Sequence, residues 1–306
     1  MANGTHQVVH GIPVPALCYG TAWKEDRTEA LVRLALDTGF RAIDTANQRK
    51  HYVEAGVGAA IAGAIRDGVV TRGELFLQTK FTYARGQDHR LPYDPEASVT
   101  EQVAQSFASS LEHLQTTYLD SYLLHGPATS RGLADADVEV WRAMEAQHRA
   151  GTVKLLGISN VALDQLEQLV TLARVPVAFV QNRCYARDRW DADLRAFCRS
   201  RGIVYQGFSL LTANRAELQS KAPSSSGPRQ SKAPSSSGPR QSGTMSEIAL
   251  RLGCTREQVV FAFARQVGML PLTGTTSVQH MRQDLASQDV ELADRDIEAI
   301  ETLAVE

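Results

Sequence analysis

The chain has 306 residues, 43% of them hydrophobic, enough for a buried core in one large domain or two small ones. The formal net charge is −2, with no basic patch to favour nucleic acid, and no apolar run approaches the ~20 residues of a membrane span. The first seven residues are polar and lack a signal-peptide pattern. Cys18, Cys184, Cys198 and Cys254 show no CxxC spacing, which argues against disulfides or a zinc site and favours a reducing, cytoplasmic location.

In chain order, strands and helices alternate. Residues 15–19 read as a first strand running into Gly20-Thr21-Ala22-Trp23. An amphipathic helix over 28–37 follows, with Leu31, Leu34 and Ala35 at helical spacing and Gly39 at its end. A second strand carries Ala42 and Ile43 and stops abruptly at Asp44; a polar loop leads to a helix from Glu54 with Val57, Ile61 and Ile65 on one face. Strand three, 75–80, ends in Lys80. After a long loop and a helix over 99–114, strand four, 119–125, ends in His125. A helix over 137–150 precedes strand five, 153–158, which runs into Ser159-Asn160. A helix over 163–172 precedes strand six, 178–180, which runs into Gln181-Asn182. A helix over 190–201 leads to strand seven, 203–207, and Phe208-Ser209. Helices over 245–252 and 256–267 lead to strand eight, 269–272, followed by Thr273-Gly274-Thr275-Thr276. Helices over 278–285 and 295–303 close the chain.

Eight strands alternating with helices fit a (β/α)8 barrel of one domain over residues 1–306. A doubly wound open sheet is second choice, because no GxGxxG follows the first strand. One segment breaks the pattern: the eleven residues 219–229 recur unchanged as 230–240, and a third copy begins at Gln241-Ser242. Rich in Ser, Pro, Gly and Lys, residues 219–242 read as a disordered insertion in the loop after strand seven.

In a barrel, Asp44, Lys80, His125, Ser159, Asn160, Gln181, Ser209 and Thr273 fall together around one mouth, at the strand ends where chemistry is built. A lysine and an acid ending neighbouring buried strands imply an ion pair, a poor stabiliser that is often functional.

These residues resemble the aldo-keto reductases. The resemblance rests on Ile43-Asp44-Thr45-Ala46, Val57-Gly58, Thr79-Lys80, Leu119-Asp120-Ser121-Tyr122-Leu123-Leu124-His125, Gly157-Ile158-Ser159-Asn160 and Gln181-Asn182, in that order. It implies reduction of aldehydes and ketones with NAD(P)H. A tyrosine donates the proton, and Asp44, Lys80 and His125 support it: the ammonium lowers the phenol pKa, and the imidazole orients the carbonyl. The family's spacing from Asp44 lands on Arg49, which is unable to deliver a proton at working pH. The loop reads two residues longer, so Tyr52 is expected as the acid, with His51 the alternative donor.

By the same resemblance Ser159, Asn160 and Gln181 meet the nicotinamide carboxamide, Phe208 stacks on the ring, and Ser209 and Leu211 lie over the pyrophosphate, while Gly20 and Thr21 join the cofactor set. Thr273, Gly274, Thr275 and Thr276 meet the adenosine ribose, with His280 and Arg282 nearby and Gln283 facing the adenine. The family's NADP-binding Lys and Arg are missing there, which should weaken NADP preference; NADPH is expected from the resemblance alone, and NADH stays open. Trp23, Tyr83, Tyr93 and Trp190 are candidate aromatic walls for a bulky carbonyl substrate. Two other classes remain: a Schiff-base aldolase using Lys80, and a non-catalytic cofactor-binding regulatory subunit.

Overall fold

The computed structural model describes residues 6–219 and 244–304. The chain opens with two strands, β1 (His6–Val9) and β2 (Ile12–Pro15), followed by β3 (Cys18–Gly20), α1 (Thr28–Thr38), β4 (Ala42–Asp44), α2 (Glu54–Arg66), β5 (Phe76–Phe81) and α3 (Val99–His113). It continues with β6 (Leu119–Leu124), α4 (Asp135–Arg149), β7 (Val153–Ser159), α5 (Leu163–Leu172), β8 (Val177–Arg183), α6 (Ala192–Ser200) and β9 (Val204–Phe208). Then come α7 (Arg215–Gln219), α8 (Thr244–Leu252), α9 (Arg256–Gln266), β10 (Met269–Thr273), α10 (Val278–Ala286) and α11 (Asp294–Glu301).

Strands β3 to β10 form a closed barrel in chain order, every pair parallel, with β10 returning to β3. The eight predicted strands are thus the eight barrel staves. The repeat expected to be a disordered insertion lies, apart from Gln219, outside the described residues.

Sequence reading missed the hairpin of β1 and β2. It registers Val9 against Ile12 and Val8 against Pro13, so the turn is His10-Gly11, with φ of 46° and 83°. Two consecutive left-handed residues make the two-residue hairpin turn that suits twisted strands. Pro13 and Pro15 hid the strand from pattern reading, since proline is confined to edges and short strands. Val8 points to solvent, while Val9 and Val14 are buried in one cluster with Cys18, Ala42, Phe76, Leu155, Phe179 and Leu270. The hairpin therefore covers the end of the barrel where the strands begin.

Inside the barrel the lining changes with height, because side chains alternate in and out along each strand. On β5 the inward series is Phe76, Gln78, Lys80, and on β8 it is Phe179, then Gln181. The lower layer is apolar, and the upper layer, toward the strand ends, is polar. Outside, the helices bury apolar stripes, such as Leu31, Val32, Ala35 and Leu36 of α1. Helix α2 lies so close to α3 that a Cβ on Gly58 would sit 2.0 Å from the His113 carbonyl oxygen.

Candidate active site

Asp44 ends β4 and sits in register with Gln78 on β5, two residues before Lys80. That pairing brings acid and ammonium together in the barrel interior. Lys80 Nζ is 2.7 Å from each carboxylate oxygen of Asp44 and donates to the Thr45 carbonyl at 2.8 Å. Lys80 is fully buried. Three bonds to three acceptors meet the hydrogen-bonding capacity of an ammonium, which makes its burial tolerable.

The polar loop after Asp44 folds by local bonds. The Gln48 carbonyl accepts from the amides of His51 and Tyr52, at 3.2 and 3.0 Å, so the chain makes one helical turn before α2. Asn47 Nδ2 and Gln48 Nε2 pin the loop to the carbonyls of Ser106 and Gly86. This turn brings the Tyr52 ring to 5.5 Å from Lys80 Nζ and to 6.0 Å, edge on, from the His125 ring. Arg49, where simple spacing lands, has its carbonyl tied to Arg90. His51 stacks on Trp23 with ring centroids 3.8 Å apart, its pKa lowered by burial and then by Lys50.

The phenol of Tyr52 departs from expectation. Its pKa is pushed up, chiefly by burial and then by the charge of Asp44. The ammonium that was to lower it is paired with both carboxylate oxygens of Asp44, so the pair offers little net charge to the phenol. Tyr52 in the free protein is held in the protonated form.

His125 follows β6, its amide bonded to the Phe81 carbonyl. Its pKa is driven down to about 3 by burial, by Lys80 and by His51. The ring is therefore neutral, and its Nδ1 lies 2.7 Å from Thr82 Oγ1. Asn160, at φ 52°, donates to the His125 carbonyl at 2.8 Å and to Ser159 Oγ at 3.2 Å. Ser159 Oγ in turn donates to the Gln181 carbonyl at 2.6 Å.

Of the remaining predicted residues, Gly20 and Thr21 lie at the end of β3, where the Thr21 amide and hydroxyl both bond the Asp44 carbonyl. Phe208 ends β9 two residues beyond Gln206, and Ser209 follows at φ 57°. Leu211 packs on the outer core. Thr273 ends β10 with its hydroxyl on Asp284 at 2.7 Å. The Thr275 carbonyl accepts from the Tyr19 hydroxyl; Gly274 and Thr276 are exposed. Helix α10 starts behind them, capped by Ser277, with His280 exposed and Gln283 half-buried.

The aromatic walls need correction. Tyr93 is buried against Phe81 with its hydroxyl on the Thr82 carbonyl, and Trp190 is buried against Phe263 with its indole N–H on the Ile300 carbonyl. Both are core residues, because each found a polar partner that lets it be buried whole. Trp23 is 66% exposed beside His51. Tyr83 borders a cleft of about 560 Å³ lined by both polar and apolar surface, with Gln48, Thr82, Arg85, His125 and Asn160 among its residues.

Several site residues escaped sequence reading. Lys24 is buried, its ammonium on the Gly274 carbonyl and its pKa lowered by burial and by Arg27. Asp284 is buried beneath Thr273, and burial raises its pKa to about 6 against the pull of the Thr273 bond and His280. Gln78 and Gln206 sit inside the barrel and bond Asp44, Gln181 and each other. The available signal was a polar residue at an inward position of a buried strand.

Residues 16–305 match the model of the aldo/keto reductase family. Deoxymugineic acid synthase 1 of Hordeum vulgare is 31% identical, covering 92% of this chain and 85% of its own. The aldose reductase of Encephalitozoon cuniculi is 27% identical over 98% of this chain and 93% of its own. An aldo-keto reductase solved in complex with NADPH superposes with a TM-score of 0.77 at 25% identity, over 99% of this chain and 88% of that one. An aldo/keto reductase of Brucella melitensis gives 0.78 at 25% identity, over 98% and 100%.

Proposed function

The chain belongs to the aldo/keto reductase family, and from that premise we propose that it reduces a small carbonyl compound to an alcohol with NADPH, Tyr52 giving the proton. The observation that carries the reading is the Tyr52 phenol packed beside both the Asp44–Lys80 pair and a neutral His125. When bound, the reduced cofactor supplies the hydride.

The residues at the strand ends fit such a group. Asn160 and Gln181 spend their amide N–H groups on protein oxygens, which leaves their side-chain oxygens for a carboxamide. Phe208 offers a half-buried ring at the same mouth. Toward the adenosine, Thr273 to Thr276 and the start of α10 supply hydroxyls and a helix end.

At the reacting carbonyl, the neutral His125 donates one hydrogen bond that orients the oxygen, and Tyr52 delivers its proton as charge builds there. Lys80, 5.5 Å from the Tyr52 ring, faces the tyrosinate left behind, with its charge largely balanced by Asp44, which holds it in place. A Schiff base on Lys80 is disfavoured, since its Nζ is buried and bonded to three oxygens.

Replacing Tyr52 by Phe is expected to lower turnover about 100-fold or more while cofactor binding stays unchanged. His51→Gln should leave turnover within a few-fold of wild type. Steady-state kinetics on both variants decide it: undiminished turnover in Tyr52→Phe with loss in His51→Gln would move the donor to His51.

A further inference from the structure

Asp44 Oδ1 accepts from Gln78 Nε2 at 2.7 Å and from Gln181 Nε2 at 3.0 Å. Both amides also donate to Gln206 Oε1, each at 2.8 Å, and Gln206 Nε2 donates back to Gln78 Oε1 at 3.0 Å. The three glutamines come from β5, β8 and β9, and all three are buried.

The orientation of every amide follows from one fact: a carboxylate only accepts. Gln78 and Gln181 must turn their N–H2 groups toward Asp44. Gln206, facing those same nitrogens, must present its oxygen, and its own N–H2 then meets Gln78 Oε1. Reversing any one amide sets oxygen against oxygen in a buried site, at the cost of unmade bonds. The ring of bonds is closed, and it uses both donor hydrogens of Gln181. Only the Gln181 carbonyl oxygen is left for the mouth of the barrel.

We propose that Gln78 and Gln206 are positioning residues that lock the Gln181 amide, so that the cofactor site reads the amino half of the nicotinamide carboxamide. This rests on the cofactor reading above and adds two residues and a selectivity to it. The lock also links the cofactor pocket to the proton-donating machinery, because Gln181 and Lys80 share the same Asp44 oxygen.

The test compares NADP with its 3-acetylpyridine analogue, in which a methyl group replaces the carboxamide N–H2, by quenching of protein fluorescence. Wild type should bind the analogue about tenfold more weakly, the worth of one hydrogen bond. Gln206→Met keeps the volume but removes the acceptor of the second Gln181 hydrogen, so the amide, left with the single 3.0 Å bond to Asp44, can swing about it and the ratio should shrink to about threefold or less. Gln206→Glu, neutral when buried next to Asp44, again offers one acceptor and one donor and should restore the ratio. Because each ratio is taken within one protein, a general loss of packing cancels. Should Gln206→Met not fold, Gln78→Met frees Gln206 to turn over and should shrink the ratio in the same direction.

An unchanged ratio in the Met variants overturns the proposal, as does equal loss in Gln206→Met and Gln206→Glu. A wild type that binds both nucleotides equally also overturns it while leaving the reductase reading intact. A wild type that binds neither overturns the cofactor reading itself.

Discussion

Thr82 decides what His125 can do. With His125 neutral, one ring nitrogen carries a hydrogen and the other does not. If the Thr82 hydroxyl donates to Nδ1, the hydrogen sits on Nε2, facing the cleft. Thr82→Val keeps the shape and removes this control. It should lower kcat/KM for the carbonyl about tenfold with cofactor affinity unchanged; equal losses in both would assign Thr82 a packing role. Since His125 titrates near 3, its charge does not change across the working range. The rate profile between pH 5 and 8 should therefore lack a step near 6.5, the ordinary histidine value. Asp284 carries the opposite kind of shift. Its folded pKa of about 6 lies above the ordinary 3.8, so the folded state holds the proton more tightly. The penalty is absent below pH 4, grows between 4 and 6, and is complete above 6. Asp284→Asn should then gain up to about 3 kcal/mol at pH 8 and nothing at pH 4. Denaturant melts at the two pH values check this; an equal gain at both would point to packing instead of charge.

Among the elements, α2 depends on Gly58. A methyl there collides with the His113 carbonyl and with the backbone of Leu114, at 2.0 and 2.8 Å, where no rotamer change gives relief. Gly58→Ala must push α2 off α3 and should cost about 3 kcal/mol, lowering the melting temperature roughly 5–10 °C. A melt within 1–2 °C of wild type, roughly the effect of an ordinary surface substitution, would show that the helices part freely. Residue Gly58 was legible in the sequence as part of a pattern, but the contact that requires it was not. The same division runs through the elements. The barrel staves were legible because buried parallel strands are short apolar runs that stop at Asp44, Lys80, His125 and Ser159, where a polar residue is costly unless it is used. Tyr93 and Trp190 were misread because an aromatic side chain lines a pocket or fills a core depending on neighbours far along the chain; Ile300, which binds Trp190, is 110 residues away. Gln78 and Gln206 were missed for the same reason: they are 128 residues apart, and each alone looks like the polar half of an alternating strand.

At the scale of the whole molecule, the barrel separates stability from chemistry by its two ends. The strand ends hold the buried ion pair and the glutamine ring, a set of polar groups that contributes little to net stability because their desolvation offsets their attraction. The other end is apolar and closed by the hairpin, through Val9 and Val14. A charge placed at Val14 has no partner in that cluster, and breaking the seal should cost about 3–5 kcal/mol. Val14→Asp should therefore melt well below wild type, by roughly 10 °C, with cofactor affinity at 25 °C unchanged. If affinity fell with the melting temperature, the polar layer would have to lean on the apolar layer beneath it, with Gln78 above Phe76 and Gln181 above Phe179 as the route. If neither changed, the hairpin would be an adornment of the barrel, and the burial of Val14 would come from β1 and β2 folding on each other alone. The physics favours the first result: the apolar plug supplies the fold with its margin, and that margin lets the opposite mouth carry a buried lysine, a buried acid and three buried amides.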